Sequence, residues 1–166
     1  IVAAGYAFLD NTADFALARY NADGSLDASF GSAGMVTTNI GADRDYANSV
    51  AIQADGRIVA AGYAIIGSTT DFALARYNAD GSLDTSFGSG GKVTTDFAAG
   101  TDYVYGMAIQ SDGRIVAAGS ANVGGNNDVA LARYNADGSL DATFGGSGMS
   151  TVAIGTGSDH GRAVAL

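Results

Sequence analysis

The chain repeats itself every 57 residues without a gap. Ile1 opens the string IVAAGYA, which returns at Ile58 and, as IVAAGSA, at Ile115. The stretch Phe15-Ala-Leu-Ala-Arg19-Tyr20-Asn21-Ala-Asp23-Gly24-Ser-Leu26-Asp27 returns from Phe72 and, with Val in place of the first Phe, from Val129. Units of this length do not bury their apolar sides alone, so they stack or arrange themselves around an axis. The repeats run 1–57, 58–114 and 115–166 within a single propeller or half-propeller unit.

Within one unit the apolar runs are short. Residues 46–53 (YANSVAIQ) and 57–64 (RIVAAGYA) flank Ala54-Asp55-Gly56, and an Asp-Gly pair between two such runs is a strong hairpin signal. Residues 71–78 (DFALARYN) and 92–97 (KVTTDF) supply a third and a fourth strand, and no run is long enough or periodic enough for a helix. Four antiparallel strands per unit, here called A to D with A innermost, make one blade of a β-propeller. Strands A and B are rich in Ala, Gly, Ser and Val, which suits the crowded centre of such a ring. In strand C, Phe15, Leu17 and Arg19 fall on one face and Ala16, Ala18 and Tyr20 on the other. Apolar residues on both faces fit a sheet held between two neighbours. The expectation is an all-β fold.

These residues resemble a known family. The string IVAAGYA…DFALARYNADGSLDTSFGSGGKVTTDF…DYVYGMAIQSDGR is similar to the bacterial delta-60 repeat, a β-propeller-type repeat of surface or secreted proteins, and the similarity covers all three copies. The resemblance implies an extracellular or cell-surface setting. It implies no enzymatic mechanism, no cofactor and no ligand residues.

Composition narrows the function further. The formal charge is −9, with 8 basic against 17 acidic residues, so a phosphate backbone would be repelled and nucleic acid is not an expected partner. No apolar run approaches the roughly 20 residues of a membrane-spanning helix. There is one His, no Cys and no Glu, which removes cysteine chemistry and leaves a catalytic triad only His160 to use. No catalytic residue is expected.

The ends of the chain matter most for assembly. Ile1 falls inside a repeat, so the chain reads as a processed product or a piece of a longer array. Strand A of the last unit falls at 160–166, whereas strands B to D of the first fall at 1–40. Three blades are fewer than closed propellers use. A homodimer in which each C-terminal strand pairs with the partner's N-terminal strand would make six.

Strand direction places the B–C and D–A loops on one face and the A–B and C–D turns on the other. The C–D connection is nearly invariant among the copies. The B–C loops (8–12, 65–69, 122–126) and D–A loops (41–44, 98–101, 155–158) vary, which marks their face as the contact surface for a glycan or protein ligand; drift in unconstrained loops explains the same pattern. On that face Asp45, Asp102 and Asp159 recur before strand A, as a ring of carboxylates for a cation or as caps of backbone turns. Tyr46, Tyr103 and His160 follow them and offer flat surfaces for a sugar. The segment Asn21-Ala-Asp23-Gly24-Ser25-Leu26-Asp27 echoes a calcium loop incompletely and is expected to be a turn. Arg19, Arg76 and Arg133 repeat in step with Asp27, Asp84 and Asp141, and are expected to form structural ion pairs. The functional expectation is a non-catalytic structural or adhesive module, with a multivalent glycan- or cation-binding propeller as the alternative.

Overall fold

The structure, a computed structural model, describes residues 1–9 and 11–166. Asp10, within the first expected B–C loop, lies outside the described residues. Eleven strands are found among them. The first sheet has β1 (Val2–Leu9), β2 (Thr12–Arg19) and β3 (Met35–Thr38). The second has β4 (Asp45–Ile52), β5 (Ile58–Ile66), β6 (Thr69–Tyr77) and β7 (Lys92–Thr95). The third has β8 (Tyr103–Ile109), β9 (Ile115–Val123), β10 (Asn126–Tyr134) and β11 (Met149–Val152). Every pairing within the three sheets is antiparallel, and strand order follows the chain.

The turns follow from their residues. At the A–B turn Gly56 N–H donates to Gln53 O, Gln53 N–H donates to Arg57 O, and Gly56 adopts φ +86°. This left-handed position after a tight turn is one that glycine takes without strain. The C–D turn repeats the device at Asn78 and Gly81, where the Asp80 carboxylate accepts from both the backbone and the hydroxyl of Ser82. The segment that echoes a calcium loop is therefore a hydrogen-bonded turn.

The variable B–C segments differ from their expected form. Ile65, Ile66 and Thr69 belong to the ladder, as do Asn122, Val123 and Asn126, leaving only Gly67-Ser68 and Gly124-Gly125 as hairpin tips. At the first tip β-branched residues on both sides, Ile65, Ile66, Thr69 and Thr70, extend the pairing through what the sequence marks as loop; at the second only Val123 is β-branched.

Packing between sheets explains the alternation in strands B and C. Val59, Ala61, Phe72 and Leu74 point to the third sheet and join Val104, Ile115, Ala117 and Ala132 in one core. Ile58, Ala60, Ala73, Ala75 and Tyr77 point the other way and meet Phe15, Leu17 and Phe30 of the first sheet. Each wholly buried Phe or Leu here stabilises the fold by roughly 1.5–3 kcal/mol. The Tyr77 hydroxyl donates to Thr38 Oγ1 at 2.8 Å and the Tyr134 hydroxyl to Thr95 Oγ1 at 2.9 Å, tying each sheet to the preceding one. Burial pushes the Tyr77 phenol up to about 12, and the Tyr134 phenol is raised for the same reason.

The glycine that ends IVAAG answers to a close approach. A Cβ on Gly62 would lie 1.8 Å from the Tyr46 carbonyl oxygen, and one on Gly119 would lie 1.7 Å from that of Tyr103. Strand A shifts register there, between Ala47 and Ser49 and between Val104 and Gly106. At Gly5, whose sheet has no strand on that side, a Cβ meets nothing within 4 Å.

The expected strand at 160–166 is not formed. These residues carry no ladder, because β1, the strand they would complete, pairs only with β2. They nevertheless run where a following blade would put its strand A. Gly161 N–H donates to Gly119 O at 3.0 Å, and the Ala163 Cα lies 3.0 Å from where a Cβ on Gly106 would sit.

Candidate functional site

The B–C hairpins and D–A loops come together on one face, as strand direction requires. Asp102 N–H donates to Thr70 O, and Thr70 and Thr101 form a parallel bridge. Asp159 N–H donates to Asn127 O in the next unit.

Each recurring aspartate of this face closes its own loop. Asp45 is fully buried and accepts from Ile40 N–H at 2.6 Å and from Gly41 N–H. Asp102 is fully buried and accepts from Phe97 N–H at 2.8 Å and Asn122 N–H at 3.2 Å. Asp159 accepts from Ile154 and Gly155 N–H groups at 2.8 and 3.0 Å. Burial holds the Asp45 and Asp102 carboxyls above the ordinary aspartate range, against the pull of those backbone donors. The Gly155 and Ile154 donors hold Asp159 below it, since no further sheet covers its loop. Among the described residues these three do not share one cation-sized cluster.

A different trio does. Carboxylate oxygens of Asp71, Asp96 and Asp102 all lie within 4.8 Å of one another. Asp71 enters from the start of β6 and is buried, and Asp96 follows β7. Burial pushes the Asp71 carboxyl up, with the Asp96 charge adding to the effect. The sequence signal for this trio was Asp96 itself, which stands where the other units have Asn39 and Ala153.

The aromatic residues form a file across all three sheets. Ring centroids are 4.6 Å apart between Tyr6 and Tyr46, 5.1 Å between Tyr46 and Tyr63, and 4.7 Å between Tyr63 and Tyr103. Tyr103 leads to Tyr105 at 6.2 Å, and Tyr105 to His160 at 6.0 Å, with the Arg162 guanidinium 4.2 Å above the Tyr105 ring. Tyr46, Tyr103 and His160 are thus parts of one continuous surface. Tyr6, Tyr63 and Tyr105, overlooked in the sequence because they sit on strand B or vary between copies, complete it.

The repeating ion pairs form as the spacing implies. Arg19, Arg76 and Arg133 donate through Nε to Asp27, Asp84 and Asp141 at 2.9, 2.8 and 2.8 Å. Each guanidinium also lies over a phenyl ring, Phe30, Phe87 or Phe144, at 4.7, 4.5 and 5.0 Å. Arg57 and Arg114 reach Asp84 and Asp141 from the A–B turns. Arg19 Nη1 donates onward to Ala79 O and Arg76 Nη1 to Ala136 O, while Gly31 and Gly88 N–H groups donate to Asp80 O and Asp137 O. The invariant C–D turn is therefore a clip between consecutive sheets.

Small-residue inner strands, four-stranded sheets packed face to face and clips at a constant interval define a β-propeller blade array. The family model described as "Domain of unknown function (DUF5122) beta-propeller" matches residues 1–30, 53–87 and 110–144. These segments make up more than half of the chain, which belongs to that family. No curated protein matches it. No helix among the described residues is long and apolar enough to cross a membrane.

Proposed function

We propose that the chain is a non-catalytic structural or adhesive propeller module of a secreted or surface-displayed bacterial protein, and that it associates with a second copy of itself. One observation carries the structural reading: the polar side chains that recur in every unit are committed within the fold, closing their own turns or holding sheet to sheet. Arg19 and Arg76 each bind an aspartate, a phenyl face and the next unit's backbone at once. The resemblance to delta-60 repeats supports the extracellular setting.

The β1 edge supports the association. In the second sheet, Ala47 pairs with Gly62 and Val50 with Ala60. Residues 159–166 carry the same strand-A pattern, so the same register sets Gly161 opposite Gly5 and Val164 opposite Ala3 of a second copy, with the bulge at Arg162. Each backbone hydrogen bond gained contributes about 1 kcal/mol net, and an apolar edge is covered that otherwise invites aggregation. Three sheets per chain would give six in the pair, within the roughly four to eight blades of closed propellers.

Light scattering on the purified chain tests this. The expected result is a dimer at about 10 µM, and a monomer for Gly5→Val, whose added side chain would strike the incoming strand and nothing else. A folded, strictly monomeric parent chain would overturn the pairing.

Glycan binding is a second reading, supported by the partly exposed aromatic file: its inner rings meet edge to face or stacked, and Tyr6 and His160 are exposed to meet a sugar. A glycan array probed with the parent chain and with Tyr46→Ala distinguishes the two readings; silence for both leaves the structural one.

A further inference from the structure

We propose that the second sheet holds one hard divalent cation, of the calcium or manganese kind, between Asp71, Asp96 and Asp102. The inference is independent of the self-association argued above.

Closeness of three carboxylates would not suffice. The decisive group is Asp71: its side chain is more than nine-tenths buried, and its Oδ1 has no hydrogen-bond partner although it is shut away from solvent. A buried carboxylate oxygen without a donor is strongly destabilising unless a proton or cation meets it. Beside it stand two more carboxylates and the Thr69 hydroxyl, whose proton goes to Ile66 O at 3.1 Å, so a positive partner is what this oxygen lacks.

The molecule carries its own control. In the first sheet the equivalent residues are Asp14, Asn39 and Asp45. There the Asn39 amide donates to Asp14 Oδ1 at 3.3 Å, and Lys92 Nζ donates to Asn39 O at 3.2 Å. A neutral donor and an ammonium thus complete the first set. In the second set Asp96 replaces the amide, and Met149 takes the place of Lys92. Both compensations are lost together, which is the change a bound cation would offset. The third sheet has Ala153 in place of Asp96 and keeps only two carboxylates, Asp128 and Asp159.

The ligands are also fixed in place. Asp102 is held by Phe97 and Asn122 N–H groups, and Asp96 accepts from Ala98 and Ala99 N–H groups on Oδ1. Ala99, which supplies one of these donors, adopts φ +55°. Three carboxylate oxygens and no nitrogen or sulfur donor select a hard cation, and its remaining positions would be taken by water.

The test is calorimetric titration of the full chain, freed of metal with a chelator, with calcium and then manganese. It is paired with melting temperature with and without each ion. Expected are one ion per chain and a rise in Tm of several degrees. Asp96→Asn, which copies the first sheet, is expected to abolish the binding heat and the Tm rise while melting at or above the metal-free parent. Asp43→Asn, an exposed carboxylate outside the trio, should leave both signals intact. Absence of heat and of any Tm change up to 10 mM calcium or manganese would overturn the proposal. Binding that survives Asp96→Asn would overturn it too, by placing the ion elsewhere. Neither outcome bears on dimerisation, which is read separately by light scattering.

Discussion

The first and second sheets are written in nearly the same residues and live in different surroundings. In β5, Ile58 to Gly62 are all buried. In β1 the same IVAAG leaves Ile1 and Ala3 exposed and Val2, Ala4 and Gly5 half-buried. Arg76 and Arg19 make the same ion pair, yet their side chains are 3% and 19% exposed. Burial is thus a property of the position in the array rather than of the repeat. Each unit supplies one half of two interfaces and is completed only by its neighbours, as expected of repeat architectures.

The largest test of this difference uses the paired glycines. Gly62→Val places a side chain into the Tyr46 carbonyl and must break the β4–β5 ladder. The expected loss exceeds about 4 kcal/mol, or a fall in Tm of roughly 10 °C or more for a chain of this length. Gly5→Val, measured in dilute solution where copies are apart, is expected to change Tm by less than about 2 °C. Thermal denaturation of the two variants side by side reads the difference directly. Equal losses would mean that the glycine is required by the strand itself and not by its neighbour.

A smaller effect is expected at the arginines. Arg76→Leu leaves Asp84 buried, with only the half-exposed Arg57 to face it, and also removes the contact with Phe87 and the clip to Ala136. Breaking a buried pair from one side costs about 3 kcal/mol. In the first sheet Asp27 is 25% exposed and water takes over part of the work, so Arg19→Leu is expected to cost about 1 kcal/mol. Urea denaturation curves with unchanged slope are the measurement. A cost at Arg19 as large as at Arg76 would make the onward bond to the next sheet, common to both, the dominant contribution.

How much of this was legible beforehand follows the same division between local and neighbouring causes. The interval of the repeat, the Asp-Gly turns, the two faces of strand C and the Arg–Asp pairs were readable because each is fixed by residues within one unit. The extension of β5 and β6 through Ile66 and Thr69 was missed, because variation between copies looks like a loop even where both strands continue to pair. The segment 160–166 reads as a strand from its residues, but a ladder needs a partner that this structure does not place beside it. The trio of Asp71, Asp96 and Asp102 was hidden for another reason. Along the columns of the repeat Asp102 aligns with Asp45 and Asp159, whereas the cluster joins three columns within one unit.

Acid titration gives the smallest effect and separates local from neighbouring causes most cleanly. The Ser29 hydroxyl holds the Asp27 carboxyl below the ordinary aspartate range, and the Ser86 hydroxyl does the same for Asp84, with the arginines contributing less. A carboxyl that is more acidic in the folded chain stabilises it fully above the unfolded value of about 4. That stabilisation is lost as pH falls below about 4 towards the lower folded value, because the unfolded chain binds its proton first. Ser29→Ala and Ser86→Ala should therefore each lower Tm slightly at pH 7 and flatten its decline below pH 4. The main cause lies inside the turn, two residues from the carboxylate, so the two variants should behave alike although their sheets differ in burial. Melting curves from pH 7 to pH 2 decide this. A clearly larger effect at Ser86 would show that cover by the neighbouring sheet reaches even the turn chemistry, and the division between what a unit carries and what its neighbours lend would have to be redrawn.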